Sequence, residues 1–225
     1  MRADRNATRE RILAAAGRLF AEQGYHGTGV DQLCKEVGLG KGALYYHLDS
    51  KEQVLFELCR RNVAELIQQA NVLESHDLPA RVRLQAMTRV LMRNIADHQQ
   101  EWQVFFHNFE ALTGTRAQTV RRLRDRFEEL VGSMIGQCVT EGVFRSVHPI
   151  VVKGVLGFFN YAYLWYRQDG ALSPEEIADI FFDALANGLA APAVAAPEPS
   201  PRNVGPPNVG PRNVGSPNPR SENES

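Results

Sequence analysis

Apolar residues recur at three- and four-residue intervals through most of the chain, a spacing that predicts helices rather than strands. Between Thr8 and Gln23, the residues Ile12, Leu13, Ala16, Leu19 and Phe20 share one helical face, Arg9, Arg11, Arg18 and Glu22 lie elsewhere, and Gly24 ends the helix. Val30, Leu33, Cys34 and Val37 mark the inner face of a second helix, with Thr28 and Asp31 as its capping pair and Gly38 as its stop. A short third helix, Lys41 to His47, buries Leu44 and exposes most of its other side chains. Ser50 with Gln53 forms a capping box for a long fourth helix carrying Val54, Leu55, Leu58, Leu66 and Ile67.

The same periodicity continues in five further segments: Pro79 to Asp97, Glu101 to Leu112, Thr115 to Glu141, Pro149 to Gln168 and Pro174 to Ala190. Pro79, Pro149 and Pro174 stand where first-turn prolines belong, Ser173 with Glu176 forms another capping box, and Gly142 and Gly170 follow helix ends. No alternating apolar run is bounded by hairpin signals, so the predicted fold is all-α, with about nine helices. From Pro192 the composition shifts to Pro, Asn, Gly, Val and Ser with the five-residue repeat PRNVG, PPNVG, PRNVG. Such a segment has too little apolar surface to offset its chain entropy and is expected to be disordered; glycine every fifth residue excludes collagen. The predicted organisation is a three-helix N-terminal domain over 1–51, a larger helical domain over 52–191 and a tail over 192–225.

A formal net charge of -1 excludes a bulk polycation, so any nucleic-acid binding must come from a local patch. Cys34, Cys59 and Cys138 are odd in number, widely spaced and set in apolar patterns, which fits reduced core residues rather than disulfides or a zinc site. The N-terminus lacks the apolar stretch of a secretion signal, and the apolar run from Gly154 to Tyr166 falls short of the ~20 residues that span a bilayer. A cytoplasmic protein without a membrane segment is therefore expected. No G-x-S-x-G, H-E-x-x-H or phosphate-cradling Gly-rich loop is present, His76, His98, His107 and His148 are scattered, and no cofactor or metal is implied. An enzyme is disfavoured.

The segment TGVDQLCKEVGLGKGALYYHLDSKEQVL, residues 28 to 55, has the layout of a helix-turn-helix, whose second helix is presented to the major groove. On that helix Lys41 supplies charge, Gly42 and Ala43 keep the front face low, and Tyr45, Tyr46 and His47 offer hydrogen bonds to phosphates or base edges. Lys51 sits in the first turn of the next helix, beside backbone N–H groups that favour an anion. Each residue also has a plainer reading: a short helix can pack one of the two tyrosines inward, His47 can cap or pack, and the lysines can be solvated surface. Over residues 1–51, eight cations against six acids leave a net charge of only +2, which favours a dimer gripping two half-sites.

From Arg9 to Leu58, through Gly38, KGALYYH and the following SKE, the chain resembles the DNA-binding domain of the TetR (tetracycline-repressor-like) family of regulators. The resemblance implies a homodimeric repressor that binds a near-palindromic double-stranded DNA operator and releases it when an effector enters the C-terminal domain. It places Thr28, Lys41, Gly42, Tyr45, Tyr46, His47 and Lys51 at DNA-contacting positions. Gly29 departs from the pattern, in which a larger polar residue is common.

In the second domain Trp102, Phe105, Phe106 and Phe109 share one helix and Met134 adds adaptable apolar surface, so these five are the candidate lining of a small hydrophobic ligand pocket between helices. Aromatic residues at helical spacing serve equally well as core. Residues 154–188 carry surplus apolar surface on two consecutive helices, suited to a symmetric helix-pair interface. WYRQDG followed by SPEEIADIF resembles a TetR subgroup responding to acyl-CoA thioesters, which implies such an effector, with Arg121, Arg124 or Arg167 available to its phosphates. A DNA-binding regulator that has no small-molecule effector and acts through a protein partner is the alternative.

Overall fold

Ten α-helices and one 3-10 turn, with no strand among the described residues, make up the computed structural model, which describes residues 2–145 and 148–187. The predicted tail from Pro192 lies outside the described residues. The helices are α1 (Arg2–Gln23), α2 (Val30–Val37), α3 (Lys41–His47), α4 (Lys51–Ser75), α5 (Ala80–Asp97), α6 (Gln99–Asn108), α7 (Gly114–Thr140), α8 (Ile150–Asn160), α9 (Ala162–Trp165) and α10 (Pro174–Asn187).

Two of the nine predicted helical segments are modified. The segment predicted over Pro149 to Gln168 divides at Tyr161 into α8 and α9, and Tyr166 turns extended to end it. The end of the segment predicted over Glu101 to Leu112 tightens into the 3-10 turn Phe109–Ala111 once Asn108 leaves helical geometry. At the other end of the chain, α1 starts at Arg2 rather than Thr8, because no glycine or proline interrupts the residues between them.

Local chemistry sets most boundaries. The Ser50 hydroxyl accepts the Gln53 N–H at 3.0 Å, but the Gln53 side chain turns away to donate to Glu57, so only half of that capping box forms. The Ser173–Glu176 box is complete: the Ser173 N–H donates to Glu176 Oε2 at 2.7 Å, and the Glu176 N–H donates to Ser173 Oγ at 3.2 Å. The expected Thr28–Asp31 cap does not form. Gly29 precedes α2 with no side-chain cap, while Thr28 is only 1% exposed and directs its hydroxyl at the carbonyls of Leu19 (3.2 Å) and Gly24 (3.0 Å). Gly38, at φ 69°, closes α2: its N–H reaches the Lys35 carbonyl at 3.3 Å and the Leu39 N–H reaches that of Cys34 at 3.0 Å. The Arg11 guanidinium donates to the Val37 carbonyl at 2.9 Å, covering another end carbonyl of that helix.

The core gathers around α4, which packs against α1, α5, α6 and α7. Val54, Leu55, Leu58, Cys59 and Leu66 are each at most 1% exposed, and a fully buried aliphatic side chain contributes about 1.5–3 kcal/mol. The three cysteines are free and buried; burial pushes the Cys59 thiol up to about 12 and that of Cys138 to about 11. α10 is held on α5 by a two-pronged ion pair, Arg89 Nε and Nη2 to the two Asp179 oxygens at 2.7 Å each.

Gly38→Ala is expected to destabilise the protein by about 1 kcal/mol, because a Cβ is disfavoured at positive φ. Gly29→Ser, at an extended residue with open space around it, is expected to stabilise by a few tenths of a kcal/mol through the missing cap. Urea unfolding midpoints at constant m-value measure both; a neutral Gly38→Ala would contradict the first.

Candidate nucleic-acid interface and effector cavity

Leu44 anchors α3 from beneath, at 1% exposure, and leaves Lys41, Gly42, Ala43, Tyr45 and Tyr46 on the outer face. Tyr45 is 41% and Tyr46 67% exposed, so neither ring is withdrawn into the core. A side chain at Gly42 would meet nothing within 4 Å, so the backbone there is open to approach. His47 is half-buried and its ring meets Tyr46 edge-on, centroids 5.4 Å apart. Thr28 is the exception among the residues expected at this face: its buried side chain ties the start of α2 to the end of α1 and is not presented outward.

The cations are less available than their number suggests. Arg9 pairs with Glu57 at 2.9 Å, Arg18 with Glu36 at 2.7 Å and Lys41 with Asp31 at 2.7 Å. Hydrogen bonding to Asp31 raises the Lys41 pKa, so the lysine stays charged, and the pair is solvent-exposed and readily exchanged. Lys51 lies with its ammonium 4.4 Å from the Tyr25 ring centroid, and burial lowers its pKa. A cation that sequence reading passed over, Arg5 on the first turns of α1, stands over the Tyr46 ring at 4.9 Å.

A cavity of about 330 Å³ opens between α4, α6, α7 and α8. Trp102, Phe105, Phe106 and Phe127 form its aromatic side, and Val63 and Leu156 add to the apolar wall. Phe109 lies one layer behind, stacked on Phe105 at 5.8 Å. Met134 is not at the cavity. It is fully buried on α7, ten residues beyond Arg124, or about 15 Å along a helix, and belongs to the core. Arg121, Arg124, Asp125 and Glu128 of α7 and Lys153 of α8 bring charge to the cavity lining. Lys153 pairs with Glu128 at 2.8 Å; the Arg124 guanidinium instead rests over Phe109 at 5.0 Å and Phe105 at 5.9 Å.

Polar bridges join α6, α7 and the turn between them to α1 and α4. Arg61 on α4 pairs with Glu10 on α1 and, at 2.9 Å, with Glu101 on α6. The Gln103 amide on α6 donates to the Ala21 carbonyl at 3.1 Å. Glu52, beside Lys51, accepts the Thr113 N–H at 2.8 Å and hydroxyl at 2.9 Å, and pairs with Arg116 of α7 at 2.8 Å. The Thr113 N–H is the main cause holding the Glu52 carboxyl below its usual range.

Phe158, Tyr161, Leu164, Trp165 and Ile180 are each 45–66% exposed on α8, α9 and α10, a large apolar face lying on the helix pair expected to form an interface. No helix among the described residues is long and apolar enough to cross a membrane, and no group of three or more metal-ligating residues occurs among them.

Residues 12–58 match the model for bacterial regulatory proteins of the tetR family, and residues 77–189 match a tetracyclin repressor-like C-terminal domain. The HTH-type transcriptional repressor KstR2 of Rhodococcus jostii (strain RHA1) is 26% identical over 193 residues, 84% of this chain and 94% of that protein. Among solved structures, the TetR family transcriptional regulator PfmR from Thermus thermophilus superposes with a TM-score of 0.75 at 30% identity, covering 80% of this chain and 100% of that one. AibR in complex with isovaleryl coenzyme A and operator DNA superposes with a TM-score of 0.71 at 25% identity, covering 80% and 98%.

The lowered pKa of Glu52 fixes the sign of a pH effect. The stability it lends is complete above the ordinary glutamate value of about 4.3 and is lost as pH falls through the depressed folded value. Glu52→Gln is therefore expected to lower the urea midpoint at pH 7 and to flatten the acid limb of the stability profile; an unchanged acid limb would show that Glu52 does not contribute to it.

Proposed function

The chain belongs to the tetR family of bacterial regulatory proteins, a family of transcriptional regulators rather than enzymes, and on that footing we propose that it is a cytoplasmic, homodimeric repressor released from a near-palindromic operator by a small hydrophobic effector, an acyl-CoA thioester. The observation that carries the DNA-binding part is the outer face of α3: Lys41, Tyr45 and Tyr46 stand clear of the core on a helix anchored by Leu44 alone. In this reading Lys41, Tyr45, Tyr46, His47 and Lys51 contact DNA, Gly42 and Ala43 let the backbone approach, and Thr28 fixes the start of α2. Residues 1–51 read the operator and the remaining helices sense and dimerise. The exposed apolar face of α8–α10 supports a two-fold helix-pair interface that sets the spacing of the two α3 helices.

The thioester part rests on the cavity. Its aromatic wall suits an acyl group, and Arg121 and Arg124, not ion-paired among the described residues, suit the phosphates of a coenzyme A. The structural similarity to a regulator solved with isovaleryl coenzyme A supports the same chemistry.

Fluorescence anisotropy with a fragment upstream of the protein's own gene is expected to show binding of two chains per operator. Tyr45→Phe combined with Lys51→Ala is expected to weaken it about tenfold or more, as the loss of one or two phosphate or base bonds predicts; undiminished binding would remove both residues from the interface. Acyl-CoA at about 100 times its Kd should stabilise the protein by about 2.7 kcal/mol in a thermal-shift assay and dissociate the operator complex. Gly157→Leu, which fills the cavity wall, should abolish that shift. A screen of acyl-CoAs without any stabilisation would eliminate the thioester and favour a regulator driven by a protein partner.

A further inference from the structure

Residues Arg5 to Ala7 of α1 have no packing reason to be where they are. From Arg5 to Ala7 the helix is exposed on every side and buries no apolar residue, so burial does not hold it. The contact it makes is with α3, where the Arg5 guanidinium lies 4.9 Å from the centroid of Tyr46, a ring 67% exposed on the outer face. Nearby cations have partners within the chain: Arg9 pairs with Glu57, Arg18 with Glu36 and Lys41 with Asp31, and Arg11 is hydrogen-bonded to the Val37 carbonyl. Arg5 forms no ion pair with any described carboxylate and keeps its full charge at the edge of the proposed reading face.

A guanidinium held over an aromatic face keeps its five N–H donors, fixed in the guanidinium plane, the geometry that suits a phosphate. The geometry points to Arg5 as a second DNA-contacting element, carried by α1 rather than by the helix-turn-helix: it grips a backbone phosphate of the operator, and Tyr46 is the platform that orients it. This rests on the reading of α3 as the DNA-facing helix. Because the contact is to phosphate, it adds affinity equally to all sequences and carries no base preference. It also adds to what a segment of net charge only +2 offers DNA, because Arg5 forms no ion pair among the described residues whereas Arg9 and Arg18 are held by carboxylates.

The test is anisotropy with the full-length protein and its operator, and with a scrambled duplex of equal length, between about 50 and about 200 mM salt. Arg5→Ala is expected to weaken both duplexes about tenfold at the lower salt and to reduce the slope of log K against log salt by about one per subunit. Arg5→Lys should keep the wild-type slope while losing part of the affinity, and Tyr46→Leu should lose less when Arg5 is already alanine than when it is present. Arg5 is exposed, so the urea midpoint of each Arg5 variant should equal that of the wild type. An Arg5→Ala protein with wild-type affinity and slope overturns the proposal, as does a loss confined to the operator, which would make the contact base-specific. Failure of the wild type to bind its operator would instead overturn the reading of α3.

Discussion

One helix, α4, carries both sites, and its stiffness is the constraint on everything else. Its first turn holds Lys51 and Glu52 beside α3, its first two turns bury Val54, Leu55 and Leu58, it packs against α1, and Val63 at its midpoint reaches the cavity. Lys51 and Val63 are twelve residues apart, about 18 Å along an unbroken helix at 1.5 Å per residue. A shift at Val63 has no loop in which to dissipate before it reaches the start of α4. Apolar packing along α4 supplies the adhesion but is non-directional. Orientation comes from the polar bridges: Arg61 to Glu10 and Glu101, Gln103 to Ala21, and Glu52 to Thr113 and Arg116.

The same polar economy changes what net charge means. Summing residues 1–51 treats every cation as available, whereas the fold assigns Arg9, Arg11 and Arg18 to internal partners that hold the N-terminal helices together. The field at α3 is set by the positions of those left over. Lys41 stays beside Asp31 in an exposed pair that a phosphate can displace at little cost, since such pairs are worth only ~0–1 kcal/mol. Lys51 is steadied by Tyr25 and Arg5 by Tyr46, so aromatic faces hold cations in place here without neutralising them.

What could be read from the sequence follows from the range of each signal. The turn at Gly38, the anchor Leu44, the cap at Ser50 and the box at Ser173 depend on residues within four positions, and all were legible. Thr28 was misplaced because its hydroxyl finds carbonyls on α1, one of them nine residues back, where a helix-cap pattern looks only forward. Arg5 was invisible because its partner is on α3 and a polar N-terminal stretch looks like an unstructured end. Trp102, Phe105 and Phe106 line the cavity whereas Met134 lies in the core, since apolar composition says nothing of which helical turn faces a gap. The division of the α8 segment at Tyr161 left no glycine or proline to mark it.

The chemistry of the cavity and the bridges to the N-terminal helices meet on the same two elements. Arg124 on α7 lies against Phe105 and Phe109, the first on α6 and the second in the turn that follows it, so a guanidinium clamps α6 to α7 through ring faces rather than a carboxylate. An anionic ligand in the proposed effector role draws that guanidinium toward itself by a charge-assisted bond stronger than the exposed cation–ring contact it replaces. In that reading the clamp would be exchanged for one through the ligand, with α6 and α7 free to shift relative to each other. Those are the helices that carry Glu101 and Gln103, and Arg116 with its neighbour Thr113, toward α1 and α4. No separate relay is needed, because the elements that would feel the ligand are the ones that hold the N-terminal helices in place. If the proposed effector does release the operator, linkage requires the effect to run both ways: the operator-held protein would bind the effector less tightly by the same factor with which the effector weakens the operator complex.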